Sequence, residues 1–379
     1  MSKRIKVVVD DDIPFIKGVL EPYATVFYYR GNRIGSQEIK DADALIIRTR
    51  TKCDALLLNG SKVKFIASAT IGSDHVDLDY CIENNIVFTN AAGCNAWGVV
   101  QYVLTAIFST AYVKGIDLTS KTIGIIGAGN VGERLAGTCE SLGFRVLRCD
   151  PPLKELLTKK LGFEKNGLFS VDRSSLTPEQ FFNMDEVIEE ADIVTLHVPL
   201  NHSTKALFNK DVFSKLKSNS FFINSSRGEI VDEVALMDAR QKLSAIALDV
   251  WCNEPDINQH LVKMVDIATP HIAGYSLEGK INATVLVVNK FAGFFGLKEL
   301  SDFKIDYPEP LPVKTIVYSE NSFQDNLCLL LNESFSIYAE DKKLRENPEA
   351  FEKIRSAYVY RREISDELYK IFASIKPKT

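Results

Sequence analysis

The chain has 379 residues, room for two or three domains, and its 46% hydrophobic and 25% charged composition excludes a disordered protein. Its 45 basic and 50 acidic side chains leave a net charge of −5 with no long block of either sign, which argues against a nucleic-acid groove or a polybasic membrane patch. The opening MSKRIKVVVDDD runs straight into a strand-like stretch, not a signal-peptide core. The longest apolar run worth weighing as a membrane span, Ile281 to Leu297, is interrupted by Asn289 and Lys290 and falls short of the ~20 residues a span needs. Seven scattered cysteines show neither CxxC pairs nor zinc-ligand spacing and read as reduced thiols. The expectation is a cytoplasmic protein with no metal, no membrane and no nucleic acid.

Along the first ninety residues, IKVVV, TVFYY, ALIIR, KFIASAT and IVFTN predict strands separated by short helical runs, an α/β unit. Asn95 to Lys114 predicts a long helix, with Val99, Val100, Val103, Leu104 and Ile107 at helical spacing. The middle alternates further strands, TIGIIG, RVLRCD, DIVTLHV, SFFINSS, AIALDV and DIATP, with helical segments, the pattern of a doubly wound parallel sheet. Residues 150–184 begin with two prolines and carry DRSSLTPEQ, and read as loop or insertion with one short helix. A second long helix follows Pro270, and DYPEPLPVK reads as a linker to a C-terminal module containing TIVYSE, LCLLLN and a helical stretch over 352–375.

The strand TIGIIG runs into Gly127, Ala128, Gly129, Asn130, Val131 and Gly132, the GxGxxG spacing of a dinucleotide turn. Gly127 permits the tight turn, Gly129 lets backbone approach a pyrophosphate, and Gly132 lets helix pack on strand. The next strand ends at Asp150, 18 residues after Gly132. A carboxylate there accepts hydrogen bonds from ribose hydroxyls and repels a 2′-phosphate, which selects NAD, although Arg148 two residues earlier pulls the other way.

Three later strands end in INSSRGEIVD with Arg227, LDVWCNEP with Glu254, and TPHIAGYSLEGK with His271. An arginine fork suits a carboxylate, a histidine titrates near neutrality, and a carboxylate beside it orients the ring. The set suits hydride transfer at a hydroxyl-bearing carbon next to a carboxylate. His75, His197, His202, His260, Cys94, Cys252 and Trp97 read as structural or solvated.

By GAGNVG, SSRGEIVD and the Arg, Glu, His order, the chain resembles the D-2-hydroxyacid dehydrogenases. ATIGSDHVD (69–77), AAGCNAWGVVQYV (91–103), CDPP (149–152), HIAGYSLEGK (271–280) and Arg361-Arg362-Glu363 extend the likeness to a phosphorylated-substrate member. The resemblance implies a Rossmann-type doubly wound domain (97–274) inserted in a smaller flavodoxin-like substrate domain (1–96 with a return helix, 275–298), and a C-terminal α+β module (299–379) that makes a homodimer. It also implies that His271 is the base, Glu254 holds its ring, and Arg227 binds the substrate carboxylate. Asp249 would meet the nicotinamide, and Val198, Ser225, Ser226 and Gly274 would line NAD, Val198 standing where the family usually has Thr. Thr49, Thr70 and Tyr275 would touch a small phosphorylated 2-hydroxy acid. Arg48, Arg50 and Lys52 share one side if residues 48–52 are extended, making Arg48 the first candidate for the phosphate, with Arg361 or Arg362 reaching in from a partner subunit. The alternatives at this stage are a phosphoglycerate- or lactate-type enzyme, or a dinucleotide-sensing protein on the same fold.

Overall fold

A computed structural model describes residues 4–160, 169–309 and 322–364. It divides into two compact units, one holding described residues 4–95, 169–170 and 278–309, the other 96–160, 171–277 and 322–364.

In the first unit, β1 (Ile5–Asp10), β2 (Ala24–Tyr29), β3 (Ala44–Ile47), β4 (Phe65–Ser68) and β5 (Val87–Asn90) pair in the order β2-β1-β3-β4-β5, every pair parallel. That order is flavodoxin-like. Strands β3 and β4 are buried along their whole length, which is why ALII and FIAS read as unbroken apolar runs rather than alternating ones. The helix Leu277–Phe295 lays Ala283, Leu286, Val287 and Phe291 into the core with Val7, Ile46 and Phe65. Each of these larger side chains, Ala283 aside, contributes about 1.5–3 kcal/mol of hydrophobic free energy when fully buried.

The second unit holds β6 (Thr122–Ile126), β7 (Arg145–Cys149), β8 (Ile193–Leu196), β9 (Phe221–Asn224), β10 (Ala245–Leu248) and β11 (Ile267–Ala268), ordered β11-β10-β9-β8-β6-β7 and parallel throughout. The chain reverses direction across the sheet between β6 and β8, the switch point where such folds bind ligands. The helix Ala96–Lys114 is apolar and long enough to cross a membrane, but 83% of its most apolar window is buried inside the protein. Val100, Val103, Leu104 and Ile107 share a core with Leu135, Ile223 and Ile267, so it is the spine of this unit.

The structure places one expected helix and changes two other sequence expectations. The prolines of CDPP open a helix, Pro151–Thr158, capped by the Asp150 side chain; proline is pre-set for the first helical turn, where its missing N–H is not needed. The described C-terminal residues do not stand apart. Leu327, Leu331 and Phe335 join the core under Ala96–Lys114, Leu344 and Phe351 join the core on the other sheet face, and the Asp341 carboxylate takes the edge amide of Ala268 at 2.6 Å. The helix expected over 352–375 ends at Ser356, after which Arg361 pairs with Ser276 as a β-bridge; TIVYSE and residues from 365 on lie outside the described residues.

Candidate active site

The glycine turn follows β6 directly. Gly127 has φ 95°, and a Cβ there would lie 2.6 Å from the His197 carbonyl oxygen; at Gly132 it would lie 1.9 Å from that of Gly127. Those two glycines are demanded by the protein's own packing. At Gly129 an added Cβ would meet nothing within 4 Å, so packing does not explain that residue, and its backbone is open to approach by a ligand. Asn130 begins the helix Asn130–Ser141 and its Oδ1 accepts the Val171 amide at 3.0 Å, while Val131 packs on the core. The half-buried Val198 follows β8, and its Cγ1 would lie 2.8 Å from a Cβ on Gly127.

Asp150 stands at the end of β7 and accepts the Ala128 and Leu153 amides, both at 2.9 Å. It thereby ties the glycine turn to the next helix. Arg148, the residue that clouded the choice of NAD, is 4% exposed and forks onto Glu133 (3.0 and 3.1 Å) and Glu140 (2.6 and 2.9 Å). Occupied by two carboxylates, it is not a 2′-phosphate receptor.

The catalytic candidates emerge from the ends of β9, β10 and β11. After β9, the Asn224 side chain holds both sides of the turn, accepting from Ser226 N at 3.0 Å and donating to Arg227 O at 2.8 Å. Ser226 Oγ donates to Leu196 O at 2.6 Å and Arg227 Nη1 to Ser226 O at 2.7 Å. Ser225 Oγ is buried with no hydrogen-bond partner among the described residues, a group that a bound cofactor would satisfy. Gly228 lets this turn touch the next: a Cβ there would lie 2.0 Å from the Trp251 carbonyl carbon.

After β10, Glu254 Oε1 accepts the Trp251 amide at 3.0 Å and Oε2 meets His271 Nδ1 at 2.7 Å. Burial by itself would raise the Glu254 carboxyl, but the His271 charge and hydrogen bond, then Arg355, outweigh it and hold the group below its ordinary value. An ionised Glu254 fixes the proton on Nδ1 and leaves Nε2 as the ring's acceptor. His271 itself has φ 56°, a left-handed backbone that costs a non-glycine residue about 1–3 kcal/mol. Asp249 supplies the compensation. Its carbonyl accepts the His271 amide at 2.7 Å, and its fully buried carboxylate accepts Thr269 Oγ1 at 2.6 Å and the Ile272 and Ala273 amides at 2.8 Å. Because the Thr269 proton is engaged there, the Tyr102 hydroxyl at 2.6 Å is the donor to Thr269.

Gly274 and Tyr275 sit in the turn beyond His271, closed by Tyr275 N on Ile272 O at 2.8 Å. Arg361 clamps this turn from inside the same chain: it is 5% exposed, donates to Ile272 O (2.9 Å), Gly98 O (2.7 Å) and Ala273 O, and stacks 4.6 Å from the Phe335 ring. A guanidinium so engaged is structural, which corrects its expected service to a partner's substrate. Arg48, Thr49 and Thr70 lie in the first unit, just past β3 and β4. The assumption that 48–52 is extended fails, because Thr51 N donates to Arg48 O and turns the chain. Arg50 and Lys52 pair with Asp12 and Asp54 instead, and Arg48 Nη1 donates to Asp12 O at 3.1 Å.

Thr269, Tyr102 and Arg355 were not legible as site residues, and Arg361 was read for a different role. Tyr102 and Thr269 are 167 positions apart, and no local pattern encodes such a pairing. The bland readings fare well by contrast. His197 Nε2 pairs with Thr195 Oγ1 at 3.0 Å and burial pushes the ring down to about 3; burial pushes the Cys252 thiol up to about 12, leaving no thiolate.

A parallel sheet with this glycine turn and a Glu-braced His define an NAD-dependent 2-hydroxyacid dehydrogenase, and residues 100–273 match the D-isomer specific 2-hydroxyacid dehydrogenase, NAD binding domain, family. The NAD+-bound 3-phosphoglycerate dehydrogenase of Entamoeba histolytica superposes with TM-score 0.61 and 27% identity, covering 80% of this chain and 99% of that one. Erythronate-4-phosphate dehydrogenase of Bacteroides fragilis is 39% identical over 366 residues, covering 95% of this chain and 97% of its own length. That of Proteus mirabilis is 37% identical over 370 residues, with 95% and 93% covered. The chain belongs to the erythronate-4-phosphate dehydrogenase branch of the D-isomer specific 2-hydroxyacid dehydrogenase family.

Proposed function

We propose that the protein oxidises 4-phospho-D-erythronate at C2 to 2-oxo-3-hydroxy-4-phosphobutanoate in the biosynthesis of pyridoxal 5′-phosphate. The observation that carries the chemistry is the 2.7 Å His271–Glu254 pair. NAD, when bound, supplies the hydride acceptor. It would lie on Gly127, Gly129, Asn130, Val131 and Gly132, with Asp150 at the ribose and Val198, Ser225, Ser226, Arg227, Asp249 and Gly274 along its length. His271 Nε2 takes the C2 hydroxyl proton as the C2–H bond breaks, and Glu254 stabilises the imidazolium so formed. Arg227 holds the C1 carboxylate and polarises the C2 oxygen. Arg48, Thr49, Thr70 and Tyr275 are the proposed substrate contacts.

The same reading expects a cytoplasmic enzyme acting as a homodimer through its C-terminal residues, with neither membrane nor nucleic acid as partner. Its test is a substrate panel: 4-phospho-D-erythronate, unphosphorylated D-erythronate and 3-phosphoglycerate, each with NAD and a 2-oxo acid acceptor. Turnover confined to the first supports the assignment. Turnover of 3-phosphoglycerate instead keeps the chemistry and overturns the substrate, and NAD binding without any turnover overturns the enzyme.

A further inference from the structure

In electrostatic range of Glu254 lies a cation whose hydrogen-bonding groups the catalytic argument does not use. Arg355, in the short helix Phe351–Ser356, directs its Nε onto the Tyr275 hydroxyl at 3.1 Å, and its guanidinium carbon lies 5.6 Å from the centre of that ring. Its side chain is only 18% exposed, and its nearest carboxylate, Glu352, is 3.8 Å away, too far for a hydrogen bond. Among the described residues, neither terminal nitrogen of Arg355 donates to anything. Arg361, six positions on, shows the contrast, with both terminal nitrogens on carbonyls.

The field of a guanidinium this enclosed acts strongly on a nearby anion because water screens it poorly, and an unused pair of terminal N–H groups is the fork that binds phosphate or carboxylate bidentately. Burial by itself would lower its proton affinity, but Tyr275, Glu254 and Glu352 raise it above the ordinary value, so the fork stays charged. The interaction with Glu254 also places Arg355 within electrostatic range of the carboxylate that braces the base.

We propose that Arg355, held by Tyr275, is the seat of the substrate's phosphate, so that one chain supplies Arg227 for the carboxylate end and Arg355 for the phosphate end. This rests on the assignment of a phosphorylated 2-hydroxy acid made above. The seat recognises a dianionic phosphate, and inorganic phosphate is its simplest probe.

The test uses the full chain with Arg355→Gln, Arg355→Lys and Tyr275→Phe, each first checked for an unchanged melting temperature and NAD affinity. Inorganic phosphate should inhibit the wild type competitively against 4-phospho-D-erythronate. Arg355→Gln should raise both the KM for that substrate and the inhibition constant of phosphate at least about tenfold with kcat within about threefold, and Arg355→Lys should recover part of both. A fall in kcat with KM and phosphate inhibition unchanged would overturn the seat, making Arg355 a positioning residue for Tyr275 and Glu254; so would no change at all. If the wild type does not turn over the phosphorylated substrate, calorimetric phosphate binding lost in Arg355→Gln would retain the seat and discard the substrate, and phosphate binding equal in both proteins would discard the seat as well.

Discussion

Replacing Glu254 by Gln isolates the electrostatic part of the catalytic pair, since the amide can still accept from Nδ1 across the 2.7 Å gap. What disappears is the attraction between a carboxylate and the imidazolium that forms as the substrate proton arrives. With charge centres about 4 Å apart and an effective dielectric of about 20, that attraction is about 4 kcal/mol. The pair is not sealed, with Glu254 18% and His271 24% exposed, and only part of the positive charge has developed at the transition state. A loss of about 2 to 3 kcal/mol remains, a fall in kcat of about 30- to 150-fold. Steady-state rates at saturating NAD measure it, with cofactor titration by fluorescence and thermal melting as controls. A variant whose kcat stays within threefold of the wild type would refute the argument that Glu254 acts through charge. A variant that has lost NAD affinity would show that its role lies in building the site.

Further outcomes follow from the same geometry. Because Glu254 is held below its ordinary carboxyl value in the folded state, it adds stability above the unfolded value of about 4.3 that is lost as pH falls through the folded one; melting across acid pH should therefore be less steep for Glu254→Gln than for the wild type. Gly129→Ala should leave the cofactor-free melting temperature unchanged, since its Cβ meets nothing, while weakening NAD binding at least about tenfold by titration. Gly132→Ala, whose Cβ would meet a carbonyl at 1.9 Å, should melt well below the wild type even without cofactor. Arg361→Ala removes several charged hydrogen bonds to carbonyls, each worth about 1.5–3 kcal/mol. A melting temperature lowered by about 6 to 12 °C in calorimetry is expected, and an unchanged one would refute the clamp.

The sheets were legible in the sequence because fully buried parallel strands carry continuous apolar runs, as in ALII, FIAS, IVTL and AIAL. The His, Glu and Arg were legible because each follows such a run, where a doubly wound sheet exposes its loops. The stretch RTRTK was misjudged because alternation holds only in a strand, and the Thr51 amide ends the extension at once. The short helix expected within residues 150–184 was not placed at the proline pair, because such a pair marks a turn and a helix start equally well; the Asp150 cap on the Leu153 amide decides it. The contacts of Tyr275 with Arg355 and of Gly98 with Arg361 join residues 80 and 263 positions apart, and nothing local announces them.

The Arg361 clamp has a consequence for the order in which the enzyme becomes competent during synthesis. All strands of the second sheet have left the ribosome once Ala268 has emerged, and domains fold as their N-terminal parts appear. The turn after His271, however, takes its carbonyl contacts from a side chain 90 residues later than His271 itself. A nascent or prematurely terminated chain can thus assemble its nucleotide fold and still lack the fastening of its catalytic turn. Synthesis through Arg361 becomes a condition for that fastening.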